Sequence, residues 1–366
     1  MLVEAPGLEP DVTLRVEAQH SIGGARLSYR VDSKLEFIVG GWRKLGTIEL
    51  DSTPTRFQQS LVEEIRSLYR GLDPAGAPLQ KSDVSRYLEA RGRALHQQLL
   101  PRELRRFLAR LERAETLMIV SDEPWIPWEL MCDEEGRFLA LRFALTRWLP
   151  AAPAPPSELK IRNIACLAAG GINQVRLKGP QKEAGYLREL ARERELEYTS
   201  LENPDWSETV ELLAGSEIDL LHFAGHGEVD LEQPELASLQ LAELGRWRAL
   251  DLFDPSKTAW ASERPIIFAN ACFAGGLGFG LSGLDGWPSS SIRQVRASAF
   301  VGPSWSVRDD RSFQFSKAFY GALIAGSNLG RAGRDAREHI WRSELGAAEA
   351  FAYRIYGHPE ASVVLE

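Results

Sequence analysis

Two side chains have the types and spacing to do covalent chemistry together: His226 and Cys272. Each closes a short apolar run, Ile218-Asp-Leu-Leu-His-Phe-Ala-Gly-His-Gly227 and Pro265-Ile-Ile-Phe-Ala-Asn-Ala-Cys-Phe-Ala-Gly275. A thiol attacks as its thiolate, and an imidazole within hydrogen-bond reach can take its proton. Gly225 and Gly227 leave the His226 ring unshielded, while Gly275 and Gly276 break the chain just past Cys272. Both groups are thus expected at turns, where the backbone N–H groups of Gly227 and Cys272 can point at a developing oxyanion. The bland alternative makes Cys272 a small buried hydrophobe. The glycines favour the turn.

Other chemistry fits less well. His222 lies four residues before His226 on the same run and reads as a structural histidine with a backbone carbonyl as partner. A zinc site from His222, His226 and Cys272 would want its two histidines on a helix, and this run is not one, so no metal is expected. The stretch Gly275 to Gly286 is glycine-rich but has no lysine for a phosphate loop. It reads as a mobile loop beside the site, and no cofactor is expected.

Delivering a histidine and a cysteine side by side requires two neighbouring strands, and the chain between 157 and 366 supplies a strand–helix alternation. Strands are expected at Ile161–Ala169, Leu196–Leu201, the two runs above and Ala297–Gly302. Helices are expected at Lys182–Glu195, Ser207–Ala214 (Ser207 as cap), Arg311–Ala325 and Asn328–Arg342. This pattern predicts an α/β fold with a mostly parallel sheet flanked by helices, and ligands then bind outside the carboxyl ends of the strands. Upstream, Ala151-Ala-Pro-Ala-Pro-Pro-Ser157 is a linker. Residues 91–156 form a non-catalytic first half, in which the Trp125 and Trp128 segment is a packed corner. Residues 1–90 are a small β-rich unit, with strands near Val12, Ala25 and Leu35, followed by helices from Pro54 to Arg70, from Ser82 or Asp83 towards Leu100, and from Pro101 to near Arg113.

Bulk properties bound the partners. The 366 residues carry a formal charge of −8, which argues against a nucleic-acid surface. No apolar run reaches the ~18 residues that span a bilayer. The N-terminus, Met1-Leu-Val-Glu-Ala-Pro, has neither a basic segment nor an apolar core. Three cysteines without CxxC spacing give no disulfide framework. A cytoplasmic protein with free thiols is expected.

Several blocks, in order, carry a resemblance. His-Phe-Ala-Gly-His-Gly and Asn-Ala-Cys are followed by Phe300-Val-Gly-Pro-Ser-Trp-Ser-Val-Arg-Asp-Asp-Arg311, Phe319-Tyr-Gly-Ala-Leu-Ile-Ala-Gly326 and Ala332-Gly-Arg-Asp-Ala-Arg337. Ile126-Pro-Trp-Glu-Leu lies upstream and Tyr356-Gly-His-Pro359 closes the set. Together they resemble the CHAT peptidases, a bacterial branch of the caspase-like cysteine proteases related to separase, over roughly residues 95 to 366. The resemblance implies a caspase-like sheet, Cys272 as nucleophile and His226 as general base. It departs at Asn-Ala-Cys-Phe-Ala, where the family usually has Ser-Ala-Cys-Glu-Thr, and at Ser306, where the family has proline.

In this family the Trp-containing strand edge lines the pocket for the residue before the scissile bond. That implies a pocket from Asp230, Asn270, Trp305, Ser306, Asp309 and Asp310. Its carboxylates favour a basic residue, while Arg308 would favour an acidic one, and the basic reading is preferred. The expected function is a cysteine endopeptidase, latent until a partner or signal rearranges its loops, with a role in bacterial defence or programmed death. Arg246-Trp-Arg248 and the glycine-rich loop are places where the chain could cut itself. The competing function is a catalytically silent module that binds peptides or a protein partner through the same groove.

Overall fold

The computed structural model describes residues 9–21, 24–34, 43–51, 53–172, 175–215, 217–230, 233–254, 264–280, 283–343 and 348–366. Eleven strands form one sheet: β1 (Val12–Ser21), β2 (Gly24–Ser33), β3 (Arg43–Leu50), β4 (Thr116–Ser121), β5 (Ala144–Trp148), β6 (Asn163–Ala169), β7 (Glu197–Glu202), β8 (Leu220–Gly225), β9 (Ile266–Asn270), β10 (Ala299–Pro303) and β11 (Tyr353–Tyr356). Their order across the sheet is β7-β6-β8-β9-β10-β11-β5-β4-β1-β2-β3. All neighbours are parallel except β10–β11, β1–β2 and β2–β3. The expected mostly parallel α/β sheet with a β-rich start is therefore what the chain forms. The strand expected at Leu35 lies outside the described residues.

Eight helices of seven or more residues are described: α1 (Pro54–Tyr69), α2 (Lys81–Leu99), α3 (Arg102–Ala109), α4 (Gly179–Glu193), α5 (Trp206–Gly215), α6 (Trp287–Arg293), α7 (Asp309–Ile324) and α8 (Leu329–Ser343). Alternate residues of the central strands enter two separate cores, as expected for strands buried on both faces. Leu220, Ile266 and Phe268 join Leu187 of α4, Phe315 and Phe319 of α7 and Ile340 of α8. Leu221, Phe223 and Ile267 join Leu213 of α5 and Trp287 and Ile292 of α6. Val12 and Leu14 of β1 and Leu61 and Ile65 of α1 belong to the first core, so the N-terminal segment packs as part of the same body.

Local chemistry moves several helix starts. α2 begins at Lys81, because the Asp83 carboxylate accepts the Gln80 N–H (3.4 Å) from within the first turn. Asp205, rather than Ser207, caps α5, accepting the Glu208 N–H at 2.8 Å. The glycine-rich stretch holds a hairpin, Gly278–Gly280 against Gly283–Asp285, and then opens α6 at Trp287. The tryptophan corner is buried: Glu123 accepts the Ile126 N–H (2.7 Å) and Trp128 Nε1–H (3.1 Å), with Trp125 and Trp128 both inside.

Candidate active site

β8 and β9 lie side by side in the middle of the sheet and end together. Ala224 is in register with Asn270, the last pair between them. His226 and Cys272 each stand two residues beyond that pair, at the same level past the carboxyl ends of adjacent parallel strands, which run ~4.8 Å apart. The turns touch. A side chain on Gly227 would come within 2.3 Å of the Cys272 carbonyl oxygen, so only glycine fits there. Gly275 is equally constrained, since a Cβ would meet the Gly302 carbonyl oxygen at 2.0 Å.

The cysteine turn is sharp because Phe273 takes a left-handed backbone, φ 65°, that non-glycine residues seldom adopt. It is closed by Ala274 N–H to Ala271 O (3.1 Å), Gly276 N–H to Phe273 O (2.9 Å) and Gly275 N–H to Pro303 O (2.8 Å). The half-buried Cys272 Sγ faces the Val307 carbonyl at 3.9 Å, and the Ser306 side chain adjoins it. Burial raises its pKa above the ordinary thiol value. Burial also lowers that of His226, against the opposing pull of Asp309 and then Glu228. His226 Nε2 is buried without a hydrogen-bond partner among the described residues. Burial thus favours the neutral thiol at Cys272 and the neutral ring at His226.

Beneath both turns runs a buried polar network. Glu183 of α4 accepts from His222 Nε2 (2.9 Å) and from Asn270 Nδ2 (2.7 Å) through one carboxylate oxygen. With Nε2 donating, His222 Nδ1 accepts from the Tyr320 hydroxyl at 3.0 Å. Asn270 Nδ2 also reaches the Ser312 carbonyl (3.1 Å), and its Oδ1 accepts from the Tyr353 hydroxyl (2.7 Å). His222 is structural as expected, but its partners are the Glu183 and Tyr320 side chains and not a backbone carbonyl. The network ties α4, α7 and β11 to positions 222 and 270, four and two residues short of the dyad.

The expected pocket residues separate. Asn270 is 4% exposed and faces the network. Trp305 is buried, and Ser306 lies at the thiol. Asp309 opens α7 but spends its carboxylate on the N–H groups of Lys178 (3.1 Å) and Gly179 (2.9 Å). Asp310 is exposed, 3.7 Å from Arg311, and Asp230 accepts the Gln233 N–H at 3.3 Å. A groove of about 610 Å³ runs beside the dyad turns, with Gly227, Glu228, Val229 and Phe273 on one side and Gln59, Val62, Glu63 and Arg66 of α1 on the other. Sequence reading missed this wall, and missed Glu183, Tyr320 and Tyr353; nothing local marks them. Among the described residues no group of histidine, cysteine and carboxylate side chains could hold a metal, and no helix is long and apolar enough to cross a membrane.

Comparison with solved structures finds the same fold in a chain of the Saccharomyces cerevisiae separase–securin complex, at TM-score 0.55 and 10% identity, covering 97% of this chain and 30% of that one. This chain thus spans under a third of that chain's length. A structure described only as a protease matches at TM-score 0.49 and 11% identity, over 84% of this chain and 76% of the other. Caspase-1 from Spodoptera frugiperda matches at 0.37 and 15%, over 59% and 93%. At these identities the likeness is one of fold alone. Comparison with curated proteins gives no match. The model of the CHAT domain matches residues 89–356, most of the chain and both turns, and the protein belongs to the CHAT domain family.

Proposed function

We propose that the protein is a cysteine endopeptidase with Cys272 as nucleophile and His226 as general base. The observation that carries this is the register of β8 and β9, which brings the two residues level on touching turns, with His226 Nε2 unbonded among the described residues. In the proposed reaction Nε2 takes the thiol proton, and sulfur adds to the scissile carbonyl carbon. The oxyanion is met by the Gly227 and Cys272 N–H groups, and the imidazolium then protonates the departing amine as the C–N bond breaks. Water, deprotonated by the same imidazole, hydrolyses the thioester.

The burial that favours the neutral pair supports a latent enzyme. α1, which lies outside the matched CHAT residues, walls the groove on one side, so a regulatory protein that moves the N-terminal segment would alter access. The fold shared with separase in its complex with securin supports a protein partner by analogy. We assign residues 1–90 to sensing or docking, residues 91–156 to the non-catalytic half and residues 157–366 to catalysis, in a cytoplasmic protein of bacterial defence.

Iodoacetamide at pH 8, read by mass spectrometry, tests the nucleophile. Cys132 and Cys166 are fully buried, with burial pushing both thiols up to about 12, so labelling is expected at Cys272 alone. Cys272→Ala should abolish it. Equal labelling of wild type and Cys272→Ala would leave a silent binding module as the better reading.

A further inference from the structure

Glu349 was not among the expected pocket residues, yet it pairs with Arg308, the residue after the one whose carbonyl faces the thiol. From Trp305 the chain follows the rim of the cysteine turn, where the Val307 carbonyl faces Cys272 Sγ at 3.9 Å. The next side chain, Arg308, turns inward, and its Nε donates to Glu349 Oε1 at 2.7 Å. The Glu349 side chain is 1% exposed, whereas that of Arg308 is 49% exposed. The rim is pinned to the short helical turn Ala348–Phe351 that carries Glu349, because Ser304 N–H and Oγ–H both bond the Ala352 carbonyl (2.8 and 3.0 Å).

A buried carboxylate met by a cation reaching in from solvent has the form of a pocket for a positively charged side chain, filled by the protein's own arginine. Leaving Glu349 unpaired would be costly, because a buried charge without its partner keeps its full desolvation penalty. A substrate guanidinium or ammonium entering from solvent exchanges one pair for another and avoids that penalty. An apolar or acidic side chain offers Glu349 nothing. The three aspartates considered from sequence have commitments elsewhere, to the Lys178 and Gly179 amides, to the neighbourhood of Arg311 and to Gln233.

We propose that Glu349 selects arginine or lysine immediately before the scissile bond, and that Arg308 is a built-in occupant which the substrate displaces. This rests on Cys272 being the nucleophile. Peptidyl chloromethyl ketones alike except for Arg, norleucine or Asp before the reactive group alkylate the thiol with loss of chloride, and their rates need no turnover. The full chain should react about 100-fold faster with the Arg reagent than with the norleucine one. Glu349→Gln should lose that advantage while keeping its iodoacetamide rate and thermal melt, and Glu349→Asp should regain part of it. Arg308→Ala should accelerate the Arg reagent about tenfold. An Arg preference that survives Glu349→Gln overturns the proposal. So does a preference for the Asp reagent that Arg308→Ala abolishes, since Arg308 would then be the selector. Failure of iodoacetamide to label Cys272 would instead remove the nucleophile assignment on which the pocket depends.

Discussion

At the scale of single residues, the two members of the proposed dyad are biased by burial towards their neutral forms. Burial favours the thiol over the thiolate at Cys272 and the neutral ring over imidazolium at His226. Alkylation of Cys272 by iodoacetamide should therefore rise about tenfold per pH unit through the neutral range, with no plateau below pH 9. A plateau below pH 8 would mean that a thiolate–imidazolium pair already exists at rest. The two neighbouring turns were legible in the sequence because glycine is visible wherever a backbone must approach closely, as at 227 and 275. Glu349 was not, because a carboxylate acquires a partner such as Arg308 only from what folding brings to it.

At the scale of elements, the strand ends are fixed by side chains from helices distant in sequence. Glu183 is 2% exposed and accepts from two donors through one oxygen, so Glu183→Leu leaves both buried donors without their acceptor. A loss of about 2–3 kcal/mol in urea unfolding is expected. Tyr353→Phe, which only withdraws a hydroxyl from Asn270 Oδ1, should cost about 1 kcal/mol. Equal losses would mean that Glu183 is not the hub. Periodicity revealed the existence of these helices, since Phe315 and Phe319 recur at helical spacing. Their starts moved by a residue or more because capping carboxylates at Asp83 and Asp205 set the first turn, a choice that hydrophobic pattern does not encode.

At the scale of the whole molecule, the N-terminal half contributes its own acid-sensitive point. His96 of α2 is 3% exposed with both ring nitrogens unbonded among the described residues, and burial, aided by Arg105, lowers its pKa from 6.5 to about 4. The unfolded chain therefore binds a proton that the folded chain refuses. This histidine costs nothing above pH 6.5, and its penalty grows as the pH falls towards 4, to about 3 kcal/mol. Between pH 7.5 and 5 wild type should lose about 2 kcal/mol more than His96→Gln in urea unfolding. Equal losses would show that His96 titrates normally. Sequence patterning identified the α/β alternation after the linker, but not that the early strands extend the same sheet. That extension depends on a pairing between segments about a hundred residues apart, which no local pattern records.

That pairing sets a timetable for synthesis. β1 and β2 form a hairpin within 22 residues of chain, but Val12 finds its other neighbour at Leu117, with Leu14 opposite Ile119. At ~5–20 residues per second on the ribosome, the hairpin waits roughly 5–20 seconds for β4 to emerge. Throughout that interval its free edge is a template for pairing with other nascent chains. Arg15 and Glu17, which alternate with the apolar Val12, Leu14 and Val16, put opposite charges along the waiting strand. A strand made first thus waits for its second neighbour, and slower translation between residues 33 and 116 should lower the yield of folded protein more than slowing of equal length after residue 121.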